Sequence, residues 1–137
     1  MRIIDANANR AKEGLRVCEE VARFCLNSPQ LTRQLKSIRH SLDDSIDKLL
    51  GSKIKLLFAR ASEKDVGRKI SKFEFKRKDL KDIFLANIQR IKESIRVLEE
   101  FSKLKNKKIA LDFKGARYAI YELEKKIIQR ILALRHS

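Results

Sequence analysis

Apolar residues return every three or four positions along most of this chain, the spacing of one face of an α-helix. Ile4, Ala8, Ala11, Leu15, Cys18, Ala22 and Cys25 form the first such stripe, with Asp5 as its expected N-cap. Asn27, Ser28 and Pro29 then punctuate the chain. Ser28 can cap a second helix, and Pro29 suits its first position. Leu31, Leu35, Ile38, Leu42, Ile46 and Leu49 make the second stripe, which Gly51 ends. A third helix is expected from Asp79, with Asp82 three residues on as in a capping box, carrying Ile88, Ile91, Ile95 and Leu98. After a break at "KNKK", Phe113, Ala116, Ile120, Leu123, Ile127, Ile131 and Leu134 define a fourth. Residues 52–78 lack a helical period and read as a long basic connection.

The stripes are not independent. "ANANRAKEGLRVCEE" at 6–20 returns as "ANIQRIKESIRVLEE" at 86–100, and nine of the fifteen positions are identical. "LKSIRHSL" from Leu35 returns as "FKGARYAI" from Phe113. The unit is therefore a helical hairpin written twice. Each hairpin alone leaves an apolar stripe bare, and packing the two together covers both. The pattern predicts an all-α fold: one domain over 1–137, a four-helix bundle with pseudo-twofold symmetry. Its first repeat spans about 4–51, the connection 52–78 and the second repeat about 79–135.

Composition sharpens this picture. At 137 residues and 43% apolar, the chain can build a real core, and four Gly with one Pro leave little room for turn-rich β structure. Lys and Arg number 33 against 18 Asp and Glu, a net charge of +15. Such a field attracts polyanions: nucleic acid, anionic lipid or phosphorylated metabolites. Cys18 and Cys25, seven residues apart, suit two buried thiols in a reducing compartment. With no membrane-length apolar run and no signal-peptide core at the N-terminus, the expected location is the cytoplasm and no membrane partner is expected.

Core packing accounts for repeated apolar residues but not for repeated amides and guanidiniums. On the helical wheel Asn7 falls at the edge of the first stripe, followed by Arg10, Gly14 and Val17, with Glu13 and Glu20 one step further round. Asn87, Arg90, Ser94, Val97, Glu93 and Glu100 repeat the arrangement. Two needs fit it. One is close helix approach at the small residues, with Asn and Arg tying helix ends together. The other is a polar pocket floored by Gly14 and Ser94, where Arg10 and Arg90 face anionic oxygens and Glu13, Glu20, Glu93 or Glu100 hold Mg²⁺. A further shared line, Lys12, Arg16, Glu19 with Lys92, Arg96, Glu99, reads as a solvated charge ladder. His40 and His136 form no nucleophile pattern, and no Gly-rich phosphate cradle is present.

"RIIDANANRAKEGLRVCEEVARF", "ARASEKDVG", "RKDLKDIFLANIQRIKESIRVLEEFSKL" and "RYAIYELEKKI" together resemble a family that covers nearly the whole chain in the same order. It is the helical hydroxymethylpyrimidine phosphate kinase family, found as a domain ahead of thiamine-phosphate synthase in many bacteria and also alone. The resemblance implies a kinase that transfers phosphoryl from ATP, with Mg²⁺, to 4-amino-5-hydroxymethyl-2-methylpyrimidine phosphate, giving the diphosphate. It implies a site lined by Asn7, Arg10, Asn87 and Arg90, with Glu13 and Glu93 as catalytic positioning groups and Glu20 and Glu100 as metal candidates. Arg60, Asp65 and Gly67 would close over it, and Arg39 and Arg117 are further phosphate-binding candidates. One position departs from the family's A-R-D-[TS]-x-x-D-V-G loop: Ala61 stands where an acidic residue is usual. Two other readings are a non-catalytic domain docking on thiamine-phosphate synthase and a basic helical module for nucleic acid, the latter disfavoured by repeated carboxylates and few aromatics. A symmetric bundle can also form a homodimer.

Overall fold

The structure is a computed structural model that describes residues 2–51 and 77–134. Its elements are α1 (Arg2–Glu20), a π-helical turn (Val21–Cys25), α2 (Pro29–Leu50), α3 (Leu80–Ser102) and α4 (Lys107–Leu134). Helix α1 packs on α2 and α3, and α4 packs on α3 and α2, so the four helices follow one another round the bundle as α1, α2, α4, α3. Gly14 meets Asn87 and Ile91, while Asn7 shares a cleft with Ser94 and Val97, so α1 and α3 run antiparallel. Of the expected elements, the four-helix arrangement holds. Among the described residues no helix is long and apolar enough to cross a membrane.

Local chemistry explains most boundaries. Ser28 Oγ accepts from the Leu31 amide at 3.2 Å with Pro29 at the first position, and Gly51 closes α2 at φ 92°. Asp79 Oδ1 accepts from the Asp82 amide at 2.9 Å, the first half of a capping box, while Asp82 Oδ2 accepts from the Lys78 amide at 3.2 Å, one residue ahead of the N-cap amide that a full capping box would take. Asp5, by contrast, is not the N-cap: α1 starts at Arg2 and Asp5 is buried in its first turn. The helical period ran one turn further upstream than the apolar stripe that marked it.

Cys25 also departs from expectation. It is exposed, while Cys18 is buried. The π turn adds one residue to the helix, with Leu26 N donating to Val21 O at 3.0 Å and Ser28 N to Ala22 O at 2.9 Å. That extra residue rotates Cys25 off the core face and gives its place to Leu26, 6% exposed. Burial, with Glu19 and Glu124 nearby, pushes the Cys18 thiol up to about 12. At the far end, Leu134 is 46% exposed rather than part of the core stripe.

The core divides its volume unevenly between the repeats. Ala8, Ala11 and Cys18 on α1 correspond to Ile88, Ile91 and Leu98 on α3, and all six are buried. Small residues on one helix admit large ones from the other. Gly14 marks the tightest point. A Cβ there would lie 2.8 Å from Ile91 Cγ1 and 3.0 Å from the Asn87 carbonyl oxygen.

The expected charge ladder is solvated only at Arg16 and Arg96, which are exposed. Glu19 and Glu99 are 2% and 4% exposed. Arg39 donates to Glu19 through Nε (2.7 Å) and Nη2 (3.1 Å), and Arg117 donates to Glu99 through Nη2 (3.1 Å). Lys12 reaches Asp43 at 2.9 Å, and Lys92 reaches Glu124 at 3.0 Å. These ties lock α1 to α2 and α3 to α4. Amphipathic spacing placed these residues opposite the stripe, but a helix in a bundle has two neighbours, and the second neighbour covers that flank.

Two outcomes follow for stability in urea. Gly14→Ala should lower it by about 1–2 kcal/mol, because forcing a buried, β-branched Ile91 and a backbone carbonyl apart outweighs the better helix propensity of Ala. Glu19→Ala and Glu99→Ala should each cost roughly 3 kcal/mol by stranding an arginine at a covered seam, whereas exposed Arg16→Ala should stay within about 0.5 kcal/mol.

Candidate functional site

The close approach of α1 and α3 shapes an open cleft of about 440 Å³ on the bundle surface. Asn7 and Arg10 line it from α1; Ala86, Gln89, Arg90, Glu93, Ser94 and Val97 line it from α3, and Arg77 from just ahead of α3. Arg10 and Arg90 are equivalent positions of the two repeats, and the antiparallel crossing brings both to the same cleft. The doubled hairpin therefore brings one arginine from each repeat to a single cleft.

The side chains differ in how far they are committed. Asn7, 6% exposed, donates through Nδ2 to the Ile3 carbonyl at 2.9 Å, which fixes the amide at the cleft edge. Asn87 Nδ2 makes the same bond to Ile83 O at 2.8 Å, but Asn87 does not line the cleft. Glu93 Oε1 accepts from Gln89 Nε2 at 3.0 Å across one helical turn. Arg10 and Arg90 are exposed, and among the described residues no carboxylate pairs with either. Three guanidiniums against one carboxylate make the cleft a strongly cationic concavity, suited to several phosphate oxygens at once.

Other expected residues lie elsewhere. Gly14 serves the helix crossing and does not floor the cleft, while Ser94, its repeat partner, does line it. Glu13 and Glu20 are exposed outside the lining. Glu100 is taken up by Arg96 (3.1 Å) and Lys103 (2.9 Å); the Lys103 bond, foremost, holds its carboxyl below the usual range. Arg39 and Arg117 sit at the hairpin seams on Glu19 and Glu99. Hydrogen bonding to Glu19 raises Arg39 above its ordinary value, and bonding to Tyr121 and then Glu99 does so for Arg117. Arg60, Asp65 and Gly67, the expected lid, fall outside the described residues.

Two lining residues escaped the sequence reading. Arg77 belongs to the "FKRK" run and has no counterpart in the first repeat, so repetition gave no signal for it. Gln89 replaces Asn9 of the first repeat, and only its position one turn before Glu93 marks it. Metal donors are sparse here. Among the described residues no three His, Cys, Asp or Glu side chains gather as they do in an all-protein metal cage. Glu93 alone fits a Mg²⁺ that keeps water and takes its remaining oxygens from bound phosphates.

A family model, that of the ThiD2 family, matches residues 2–126. Over 95% of its length the chain is 37% identical to a thiamine-phosphate synthase of Synechocystis sp., of which it covers 38%. A thiamine-phosphate synthase of Nostoc sp. is 39% identical over 99% of the chain, again covering 38% of that protein. One from Rhodopirellula baltica is 39% identical over 93% of the chain and 35% of its own length. The chain thus spans little more than a third of the curated relatives it matches. No solved structure matches it.

The cleft's charge makes a simple binding prediction. Inorganic triphosphate, titrated by calorimetry, should bind the wild-type chain, and Arg10→Gln and Arg90→Gln should each weaken it by about tenfold or more, the loss of one charge-assisted bond. Arg16→Gln, on the exposed flank outside the cleft, should leave the affinity unchanged.

Proposed function

This chain belongs to the ThiD2 family, and on that premise we propose that it transfers the γ-phosphoryl group of ATP to 4-amino-5-hydroxymethyl-2-methylpyrimidine phosphate, producing the diphosphate for thiamine biosynthesis. The observation that carries the proposal is the meeting of Arg10 and Arg90 in one cleft with no carboxylate partner for either among the described residues. The repeated arginines at the hairpin seams, Arg39 and Arg117, each pair with a carboxylate instead.

The chemistry requires little else from the protein. A phosphate oxygen of the acceptor attacks the γ-phosphorus, the bond from that phosphorus to the β–γ bridging oxygen breaks, and ADP leaves with the electron pair. The attacking phosphate is already an anion, so no strong base is needed, and charge neutralisation with in-line positioning supplies the rate. Arg10 and Arg90 straddle the axis, where two phosphate groups must be held close despite their mutual repulsion. Arg77 adds a third positive charge at the cleft. Gln89 orients Glu93 through its 3.0 Å bond. When bound, Mg²⁺ neutralises charge on the nucleotide phosphates, with Glu93 as the carboxylate that the cleft offers it.

A docking role on thiamine-phosphate synthase is a second reading, favoured by relatives that carry this segment within a chain more than twice as long. Turnover separates the two. ADP release, followed by a coupled assay, should depend on added hydroxymethylpyrimidine phosphate, and Arg10→Ala or Arg90→Ala should cut it by about 100-fold with helicity unchanged. ATP consumption indifferent to the acceptor, or unaffected by both substitutions, would leave the docking role.

A further inference from the structure

The arginine cleft changes character along its length. Its α3 wall runs from Ala86 to Val97, about 16 Å at the helical rise of about 1.5 Å per residue. At the Ala86 end stand Arg77 and Gln89, both exposed, and then Arg90 and Glu93. At the Val97 end the lining is Asn7, Ser94 and Val97, none of them charged. That end is also the drier one. Asn7 and Ser94 are 6% and 3% exposed, and Val97 is half-buried. An open, charged end suits a polyphosphate. A covered, neutral end suits an uncharged ring carrying a few polar atoms.

Ser94 is the residue at the covered end whose chemistry is unspent. Thr32 on α2 and Ser102 on α3, also buried, each donate to the carbonyl one turn back, on Ser28 and Leu98. The Ser94 hydroxyl has no hydrogen-bond partner among the described residues. A hydroxyl so covered costs stability when it stays unpaired. Its counterpart in the first repeat is Gly14, so the repeat did not demand a hydroxyl, and alanine would suit a helix interior better. A ligand atom in the cleft meets the need.

The two ends fit the two substrates in one order only. In hydroxymethylpyrimidine phosphate a single methylene and one oxygen join ring to phosphorus. A phosphate gripped by Arg10 and Arg90 therefore carries its ring no further than about one helical turn, roughly 6 Å, and Ser94 stands one turn from Arg90. Adenine is held away from its γ-phosphate by ribose and two more phosphates, too far to reach the same place. The charge of those phosphates matches Arg77, together with a Mg²⁺ at Glu93. An aminopyrimidine presents an amino donor and ring-nitrogen acceptors, and a serine hydroxyl can answer either.

We infer that Asn7, Ser94 and Val97 form the subsite for the pyrimidine ring, with the Ser94 hydroxyl hydrogen-bonded to a polar atom of that ring, and that ATP lies toward Arg77. This rests on the phosphoryl-transfer reading and adds to it the direction in which the substrates lie. Ser94→Ala tests it, since it removes one oxygen that bonds nothing among the described residues and leaves the packing in place. The KM for hydroxymethylpyrimidine phosphate should rise about tenfold, the loss of one bond to a covered group, with the KM for ATP and the helicity unchanged. Arg77→Gln should show the reverse split. Calorimetry gives a readout free of turnover: Ser94→Ala should weaken hydroxymethylpyrimidine phosphate by the same factor and bind inorganic triphosphate as the wild-type chain does. A folded Ser94→Ala chain that keeps its affinity for the pyrimidine phosphate, or that loses ATP instead, overturns the inference and leaves the phosphoryl-transfer reading standing. A wild-type chain that binds triphosphate but no pyrimidine phosphate overturns both.

Discussion

Everything that gives this protein its character depends on how closely α1 approaches α3. Ala8, Ala11 and Gly14 strip side-chain volume from one helix where Ile88, Ile91 and Ile95 add it to the other, and at Gly14 the separation leaves no room for a methyl group. A duplicated hairpin packed against its own copy would set like against like. The two repeats have instead diverged in size at matching positions, so that one supplies holes and the other knobs. The crossing lies beside Arg10 and Arg90. Were the helices spread by a larger residue at 14, the two guanidiniums would no longer share a cleft.

The repeated polar residues fall into two populations, and the sequence cannot separate them. Glu19 with Arg39, and Glu99 with Arg117, form covered pairs at the seam within each hairpin, joined by Lys12 with Asp43 and Lys92 with Glu124. Duplication preserved them because each hairpin needs the same tie. Arg10 and Arg90 were preserved equally well, yet no carboxylate pairs with them among the described residues. Repetition thus marks a position as needed without saying for what. What distinguishes the two sorts is the presence of a partner one helix away, which only three-dimensional packing reveals.

The helices, the caps at Ser28 and Asp79, the stop at Gly51 and the core stripes were legible because each depends on residues within one or two turns of each other. The π turn was not. No residue from Val21 to Cys25 announces it, and its consequence, the rotation of Cys25 into solvent, depends on how the hairpin must close. Within the charge ladder the burial of Glu19 and Glu99 was hidden for a related reason: wheel geometry tells which residues share a face, and only neighbouring helices decide whether that face meets water. For the cleft, Asn7, Arg10, Arg90, Glu93 and Ser94 were visible through the repeat, whereas Arg77 and Gln89 break the repeat and were hidden by that same reasoning.

Those breaks bear on mechanism. A strictly twofold site would offer identical surroundings to both phosphates, and donor and acceptor would be interchangeable within it. Phosphoryl transfer is directional: one phosphate group loses a bond to a leaving nucleotide while the other gains one. The cleft is twofold in Arg10 and Arg90 but one-sided in Arg77, Gln89 and Glu93, all supplied by the second half of the chain. On the proposed reading, the symmetric pair supplies the charge that brings two anions together, and the one-sided residues assign each anion its role. Gene doubling alone can supply the first. The second needs departures from strict symmetry: Arg77 and Gln89 depart from the repeat in sequence, and Glu93 departs in place alone, since its counterpart Glu13 lies outside the cleft.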